Sequence, residues 1–330
     1  MALLRIRRSW EIPERLATPE AVFLSRRQLL AALGLGALAS VGPAWAAPTA
    51  PPPGPHGWVA SGLERFGGRF PARRNPAYGL GGRPLTAEEK VSRYNNFYEF
   101  TNRVTEVWQK AESYSVAAWK VEVTGLVQKP RTFDLDDLFG RFPLEERLYR
   151  HRCVERWAMQ VPWTGFPLRK LLTQVEPLGT ARYVRLVSFS DPEHLPGVKE
   201  TISYYPWPYY EGLRLDEASH DLAFLVLGSY GHPLPMQNGA PLRLHCPWKY
   251  GYKSAKSIVK IELTAQAPPT FWHAMEPAEY GFYSNVNPKK PHPRWSQELE
   301  KDIGTGEIRR TLPYNGYGEL VAGMYSGGEI

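Results

Sequence analysis

A single cysteine, Cys153, lies in a strongly cationic stretch, and its thiol is the group most suited to chemistry in this chain. The segment 147–157 has the sequence RLYRHRCVERW. Its basic side chains are Arg147, Arg150, His151, Arg152 and Arg156. Positive charge near a thiol favours the thiolate, which is the form that attacks electrophiles and binds metals. We therefore expect Cys153 to act either as a nucleophile or as a metal ligand.

The first 46 residues are predicted to be a cleaved export signal. The twin arginines Arg26 and Arg27 precede a weakly apolar stretch at 29–42 and a small-residue cleavage site at 44–46. The apolar stretch is shorter than the roughly 20 residues that a membrane-spanning helix needs. Because the twin-arginine pathway carries folded proteins, commonly with a cofactor already inserted, we expect a periplasmic protein that contains a cofactor.

Three roles for Cys153 remain open on these residues alone. The first is a disulfide with Cys246, since exported proteins commonly pair their cysteines. The position of Cys246 argues against this pairing, because it lies in an apolar run typical of a small buried side chain. A catalytic cysteine–histidine pair is the second, but His151 is fixed two residues away and no partner orients it. The third is a metal ligand. The histidines lack the spacing of a zinc site, so a lone thiolate would need a cofactor to complete the coordination of a softer metal.

Composition predicts one compact soluble domain at 69–330, preceded by a flexible leader at 47–68 that is rich in Pro, Ala and Gly. The formal charge is +7, and removing six arginines and three glutamates with the signal leaves about +4. Basic residues are scattered, which argues against nucleic acid as a partner. The sequence has no GxGxxG, phosphate-loop or CxxCH pattern. Electrons for a redox reaction would therefore come from another protein.

The elements that must position Cys153 are predicted to be short strands and short helices. Alternating or apolar runs predict strands at 119–125, 183–189, 222–227, 242–246 and 257–263. Asp134 is predicted to cap a helix that ends at 139, and Pro167 to open another through 172. Asn238 and Gly239 predict a turn. Because these elements show no regular βαβ rhythm, we predict an α+β fold with mixed sheets.

The segments around Cys153 resemble the molybdenum-ligand region of the sulfite oxidase family. They are 141–147 (RFPLEER), 149–155 (YRHRCVE) and 161–168 (VPWTGFPL). A closer resemblance, which spans nearly the whole chain, is to the MsrP family of catalytic subunits of bacterial periplasmic protein-methionine-sulfoxide reductases. Its motifs are 94–100 (YNNFYEF), 237–241 (QNGAP), 247–251 (PWKYG) and 292–296 (HPRWS).

This resemblance implies a sulfite oxidase-type molybdopterin-binding fold in which Cys153 is the catalytic residue and the protein ligand of molybdenum. The cofactor would be Mo-molybdopterin, with one pterin dithiolene on the metal. The residues that match cofactor-binding positions are Asn95, Tyr98, Glu99, Ser188, Asn238, Arg243, Ser254, Ala255 and Lys256. Ser188 stands where the family often has threonine, and His151 stands where relatives carry an apolar residue.

The resemblance also implies a reaction and partners. The reaction is oxygen-atom transfer that returns methionine sulfoxide in oxidised periplasmic proteins to methionine. The electron donor would be a haem-containing integral membrane subunit, MsrQ-like, that draws on the quinone pool. The chain lacks the appended domain through which animal and plant sulfite oxidases dimerise, so a monomeric catalytic subunit is expected.

Two alternatives share many of these features. A sulfite-oxidising enzyme of the same fold would carry a similar set of cofactor residues. A cofactor-free exported binding protein would be held together by a disulfide between Cys153 and Cys246. Single residues also allow simpler interpretations. Arg243 is typical of a surface strand, and Arg150 and Arg152 are typical of a strand face exposed to solvent. The segment 94–100 is typical of aromatic packing in a core.

Overall fold

The computed structural model describes residues 59–111 and 114–326. The predicted signal at 1–46 lies outside these residues and stays a prediction. Twelve strands are present in the described part of the chain: β1 Lys120–Gly125, β2 Arg131–Asp134, β3 Glu145–Arg152, β4 Trp157–Pro167, β5 Tyr183–Ser188, β6 Tyr210–Arg214, β7 Phe224–Ser229, β8 His232–Pro233, β9 Arg243–His245, β10 Ile258–Thr264, β11 Leu299–Asp302 and β12 Ile308–Arg310.

Short helices connect these strands. The α-helices are α1 Glu88–Arg93, α2 Val107–Ala111, α3 Leu135–Gly140, α4 Leu168–Val175, α5 Pro196–Thr201, α6 Leu215–Ser219, α7 Phe271–Met275 and α8 Gly318–Val321. The 3-10 helices are Glu64–Arg69, Met236–Asn238, Gly251–Lys253, Pro313–Gly316 and Ala322–Met324. Within the described ranges, none of these helices is long and apolar enough to cross a membrane.

The strands form two mixed sheets, which confirms the predicted α+β class. The first has the order β2-β1-β10-β5-β6, with β1 and β10 parallel and the other neighbours antiparallel. The second has the order β12-β11-β4-β7-β8, with β3 added against β4 and β9 against β7. The predicted strands at 119–125, 183–189, 222–227, 242–246 and 257–263 correspond to β1, β5, β7, β9 and β10, with ends shifted by one or two residues.

The antiparallel hairpin of β3 and β4 carries Cys153. The two strands pair from Glu145 opposite Gly165 to Arg152 opposite Ala158, so that Cys153 is the first residue of the loop 153–156. Every residue of β4 is buried, because the strand lies in the interior of its sheet with β3, β7 and β11 as neighbours. The hairpin therefore holds the backbone next to Cys153 in the protein interior.

Part of the predicted leader packs onto the folded body. In residues 59–68, the side chains of Ala60, Leu63 and Phe66 are buried, and Phe66 stacks on Phe139 of α3 with ring centroids 4.1 Å apart. The boundary predicted at residue 68 thus falls inside packed structure, because a Pro- and Gly-rich composition does not reveal these three apolar contacts.

The predicted cap of α3 is present. The Asp134 carboxylate accepts a hydrogen bond from the backbone N–H of Asp137 at 2.8 Å, so it satisfies one of the N–H groups that the first helical turn leaves without a partner. By contrast, Pro167 is the residue before α4 and not its first helical residue.

We expect Asp134→Ala to lower the free energy of unfolding by about 1 kcal/mol, because the first turn of α3 loses its side-chain cap. Urea unfolding followed by circular dichroism measures the change. Asp136→Ala is the matched control, since it removes a carboxylate from the same turn whose ion pair with Arg65 is exposed; its cost should be roughly half or less. Equal costs for the two variants would contradict the capping role.

Candidate active site

The thiol of Cys153 lines a cavity that is partly open to solvent. The backbone N–H of Cys153 donates to the carbonyl of Trp157 at 2.9 Å, and the Cys153 carbonyl accepts from Arg156 N–H at 3.1 Å. Arg156 completes this tight loop with a left-handed φ of 73°. The loop presents the sulfur atom to the cavity while the residue stays only 6% exposed.

Seven of the ten predicted site residues line this cavity: Asn95, Tyr98, Glu99, Cys153, Arg243, Ser254 and Lys256. Asn238 does not line the cavity but contacts a residue that does, since its Oδ1 accepts a hydrogen bond from Nδ2 of Asn95 at 2.8 Å. Ala255 is buried between two lining residues. Ser188 is buried but lines a different cavity, together with Tyr205 and Trp207. The structure thus assembles most of the predicted set around the cysteine and does not bring Ser188 to the same wall.

The expectation that cations make Cys153 a thiolate is wrong for the protein described here. Burial raises the pKa of the thiol to about 12, and the nearby carboxylate of Glu155 adds to the rise, whereas Arg152 lowers it by less. The arginines act elsewhere: Arg147 forms ion pairs with Glu145 and Asp221, and Arg150 donates to the carbonyl of Gly316 at 3.0 Å. Cys153 without a metal is therefore a neutral thiol.

Arg152 is fully buried, which excludes the solvated strand face that its sequence also allowed. Its guanidinium donates to the Cys153 carbonyl, to Oε1 of Gln297 at 2.7 Å and to Glu300 at 3.2 Å. Arg243 is only 5% exposed and is likewise not a surface residue. Both arginines are internal structural cations of the region around the cavity.

The residue after the cysteine is held by two side chains from the C-terminal part of the chain. Nε1 of Trp295 and Nε2 of Gln297 both donate to the carbonyl of Val154, each at 2.8 Å. The Trp295 ring in turn stacks on His292, with centroids 4.0 Å apart and planes within 7°. The motif at 292–296 therefore fixes the loop 153–156.

Sequence reasoning missed two polar residues beside the sulfur. Nδ2 of Asn96 lies 2.8 Å from Oε2 of Glu155 and 3.6 Å from Sγ of Cys153. The same carboxylate oxygen accepts from Nε1 of Trp157 at 3.0 Å and lies 3.7 Å from Sγ. Their positions in sequence were the available signal, since Asn96 lies within the motif at 94–100 and Glu155 follows Cys153 by two residues.

Two cations, the buried Arg243 and the partly buried Lys256, line the cavity, and neither forms a salt bridge with a carboxylate among the described residues. Arg243 donates to the carbonyl of Asn238 at 2.9 Å, and Nζ of Lys256 donates to the carbonyl of Asn96 at 2.5 Å. Burial lowers the pKa of Arg243 to about 10 and also lowers that of Lys256. A buried cation without a counter-ion favours an anionic ligand.

Glu99 is a third buried ionisable group in this wall. Burial raises the pKa of its carboxyl, although the nearby Lys256 ammonium opposes the rise. Asn95 and Glu99 are polar residues inside an aromatic run, and both face the cavity. Simple core packing therefore does not describe the motif at 94–100, although Phe97 and Phe100 are core residues.

The residues present fit a molybdopterin. Two of the predicted cofactor-binding residues at this cavity have a buried polar atom without a partner in the described structure: Oδ1 of Asn95 in the wall and Nδ2 of Asn238 directly behind it. Buried polar atoms are normally hydrogen-bonded, so these atoms suit a bound polar group. The pterin phosphate suits Arg243 and Lys256, and the metal suits the sulfur of Cys153.

Neither the disulfide nor a protein-only metal site is present in the described chain. Cys153 and Cys246 are both free thiols, which is contrary to the disulfide-stabilised alternative. Cys246 is buried with 1% exposure, as predicted for a small apolar side chain. Among residues 59–111 and 114–326, no three His, Cys, Asp or Glu side chains form a metal-binding cluster. A metal here would rely on Cys153 and on non-protein ligands.

His151 also lines the cavity, on the strand that leads to Cys153. Burial, with the charges of Arg243 and Lys256, lowers the pKa of its imidazole to about 3, so the ring is neutral.

The mouth of the cavity is aromatic: Tyr98 lies 5.3 Å from Trp272, and Trp272 lies 5.4 Å from Tyr280, measured between ring centroids.

We expect Trp295→Phe to loosen the loop 153–156, because the variant loses the bond to the Val154 carbonyl but keeps an aromatic ring against His292. Unfolding free energy should fall by about 1 kcal/mol, and alkylation of Cys153 in the cofactor-free protein, followed by peptide mass spectrometry, should become faster. Trp207→Phe is the control, since it also removes one indole hydrogen bond, to Oγ1 of Thr201 at 3.0 Å, beside a different cavity. Equal alkylation rates in both variants would show that the Trp295 bond does not fix the loop.

Comparison with known proteins places these residues in a family. The family described as oxidoreductase molybdopterin binding domain matches residues 108–272. The protein-methionine-sulfoxide reductase catalytic subunit MsrP of Ralstonia nicotianae is 46% identical over 97% of this chain and 95% of that protein. The MsrP of Burkholderia mallei is 44% identical, with the same shares covered.

Among solved structures, the sulfane dehydrogenase SoxCD from Paracoccus pantotrophus aligns with a TM-score of 0.42 and 17% identity, over 57% of this chain and 48% of that one. This likeness is too slight to carry an argument, whereas the MsrP relatives match almost from end to end. With a family domain over half of its length and two relatives above 40% identity, the chain belongs to the MsrP family of protein-methionine-sulfoxide reductase catalytic subunits, within the molybdopterin-binding oxidoreductases.

Proposed function

We propose that this chain is the catalytic subunit of a periplasmic molybdoenzyme that reduces methionine sulfoxide residues of proteins to methionine. The observation that carries the proposal is the cavity itself, which is lined by one cysteine sulfur and by two cations, Arg243 and Lys256, that form no salt bridge among the described residues. The MsrP relatives, named for this reaction, support the choice of substrate. Export by the twin-arginine pathway follows from the signal predicted at 1–46.

Different residues of the chain would bind different parts of the cofactor. Cys153 would hold the molybdenum, and Arg243 with Lys256 would hold the phosphate of the pterin. The amides of Asn95 and Asn238, already bonded to each other, would orient the pterin through their remaining polar atoms. When bound, Mo-molybdopterin supplies oxygen-atom transfer, in which a sulfoxide takes up two electrons and two protons to give a thioether and water.

Side chains near the sulfur would control protons and water. Glu99 has a raised pKa because it is buried, so its carboxyl can carry a proton in the cavity wall. The neutral ring of His151 adds no charge to the site. Tyr98, Trp272 and Tyr280 exclude bulk water from part of the mouth and offer an apolar rim to the methyl end of the substrate side chain.

The proposed partners follow from the family resemblance. Because the chain has no haem-attachment or flavin motif, another protein would deliver the electrons, and the resemblance implies a haem-containing integral membrane subunit, MsrQ-like, that draws on the quinone pool. The relatives are named catalytic subunits, which supports a separate electron-donor subunit. Oxidised periplasmic proteins would be the substrates, and the catalytic subunit itself would be monomeric.

We expect Cys153→Ser to lose molybdenum and to lower the sulfoxide reductase activity by more than about 100-fold, beyond the loss typical of residues outside the metal's own ligands. Metal analysis of the purified protein and steady-state kinetics measure both effects. Cys246→Ser, at a buried thiol that does not line the cavity, should keep its molybdenum. A fully active, molybdenum-loaded Cys153→Ser variant would overturn the assignment.

The molybdenum-loaded chain should oxidise a reduced artificial donor when it is given a protein that contains methionine sulfoxide, because the proposed reaction consumes electrons. Absorbance of the donor measures this uptake. The same enzyme with sulfite and an oxidised acceptor is the control, and it should show little turnover. Fast sulfite-dependent electron release without sulfoxide-dependent uptake would instead favour a sulfite-oxidising enzyme.

A further inference from the structure

The imidazole of His151 lies in the cavity wall and has no hydrogen-bond partner among the described residues. The residue is 7% exposed, stands opposite Met159 in the β3–β4 hairpin and lines the same cavity as Cys153. Its ring centroid lies 5.5 Å from that of Trp157 and 5.4 Å from that of His245. These two rings fix the plane of the imidazole.

Within the described chain, neither ring nitrogen of His151 has a hydrogen-bond partner. Two polar side chains nearby are hydrogen-bonded to other side chains: Asn96 to Glu155, and Arg152 to Gln297. A neutral imidazole carries one donor and one acceptor. A polar ring that lines a cavity and has no protein partner can offer both groups to a ligand inside that cavity.

Gly251 leaves room at the edge of this ring. A Cβ atom on Gly251 would lie 2.5 Å from both Cε1 and Nε2 of His151, closer than such atoms approach in proteins. Any other residue at 251 would therefore cover Nε2 or push the ring away. Gly251 also lines the cavity, so glycine at this position lets the ring edge of His151 and the Gly251 backbone lie side by side in the wall.

We propose that His151 forms a hydrogen bond, through its cavity-facing ring edge, to the pterin part of the bound cofactor. A pterin offers ring nitrogens and exocyclic amino and oxo groups, so it can match either tautomer of a neutral imidazole. Arg243 and Lys256 would bind the phosphate, and Cys153 would bind the metal. The uncharged ring system of the pterin is then the part of the cofactor that His151 can contact. The inference rests on the proposed cofactor and assigns a further binding residue, at a position where the family resemblance gives an apolar side chain.

The test compares retention of the pterin in purified holoenzyme variants. His151→Met keeps the bulk but loses the hydrogen bond, whereas His151→Gln keeps a donor and an acceptor. After dialysis, the pterin that remains on the protein is oxidised and measured by its fluorescence. We expect the pterin to dissociate about 5-fold faster from His151→Met, the effect of one net hydrogen bond, and at nearly the wild-type rate from His151→Gln.

Met159→Leu is the matched control, because Met159 lines the cavity opposite His151 and the substitution conserves volume; its dissociation rate should stay that of the wild type. Equal retention in His151→Met and wild type would overturn the inference. So would an equal loss from His151→Met and His151→Gln, since ring packing would then be the cause.

A second measurement keeps the inference testable if His151→Met fails to fold. In wild-type protein labelled with ¹⁵N-histidine, the ring-nitrogen signal of His151, assigned by its absence from His151→Gln, should shift between the cofactor-free and loaded forms. An unchanged signal would contradict the contact. Failure of the proposed cofactor is distinguishable, because wild-type protein would then contain no pterin at all, whereas failure of the proposed reaction alone would leave the pterin retention expected of every variant unchanged.

Discussion

A buried guanidinium, that of Arg152, is the interaction on which the candidate site depends. It bonds to the carbonyl of Cys153 and, from the same side chain, to Gln297 and Glu300. Hydrogen bonds to a buried charge are strong, and removing one partner leaves a costly unpaired group. The hairpin end that carries the sulfur is thereby joined to the C-terminal strands, and the direction of the thiol follows from that connection.

Charge is distributed unevenly in the interior. Arg152 and two buried lysines, Lys249 and Lys253, are paired with buried carboxylates. Arg243 and Lys256 have no such salt bridge and line the cavity. Burial of an unpaired cation is unfavourable, so the position of Arg243 is costly in the empty protein and becomes favourable around an anion. The carboxyl groups of Glu99 and Glu155 also line the cavity, so a ligand there meets groups of both signs.

Sequence reasoning predicted the parts of this protein whose determinants are local. β1 ends at Gly125 and α3 begins after Asp134 because alternation and capping act within a few residues. The state of the Cys153 thiol could not be predicted in this way, since Arg147, Arg150 and Arg152 look like a cationic field in sequence but bond to residues far along the chain. Motif resemblance identified seven of the nineteen residues that line the cavity, and it missed Asn96 and Glu155 because their role depends on their contact with each other.

The two bonds from Trp295 and Gln297 to Val154 have a consequence for the order of assembly. They join positions 141 and 143 residues apart, and the Arg152–Glu300 pair spans 148. A chain that folds while it is being made can form the β3–β4 hairpin early, because its strands are adjacent. The loop that presents the sulfur is complete only once residue 300 has been synthesised, so the site becomes competent late. Insertion of a cofactor would then follow the synthesis of all the residues up to that point.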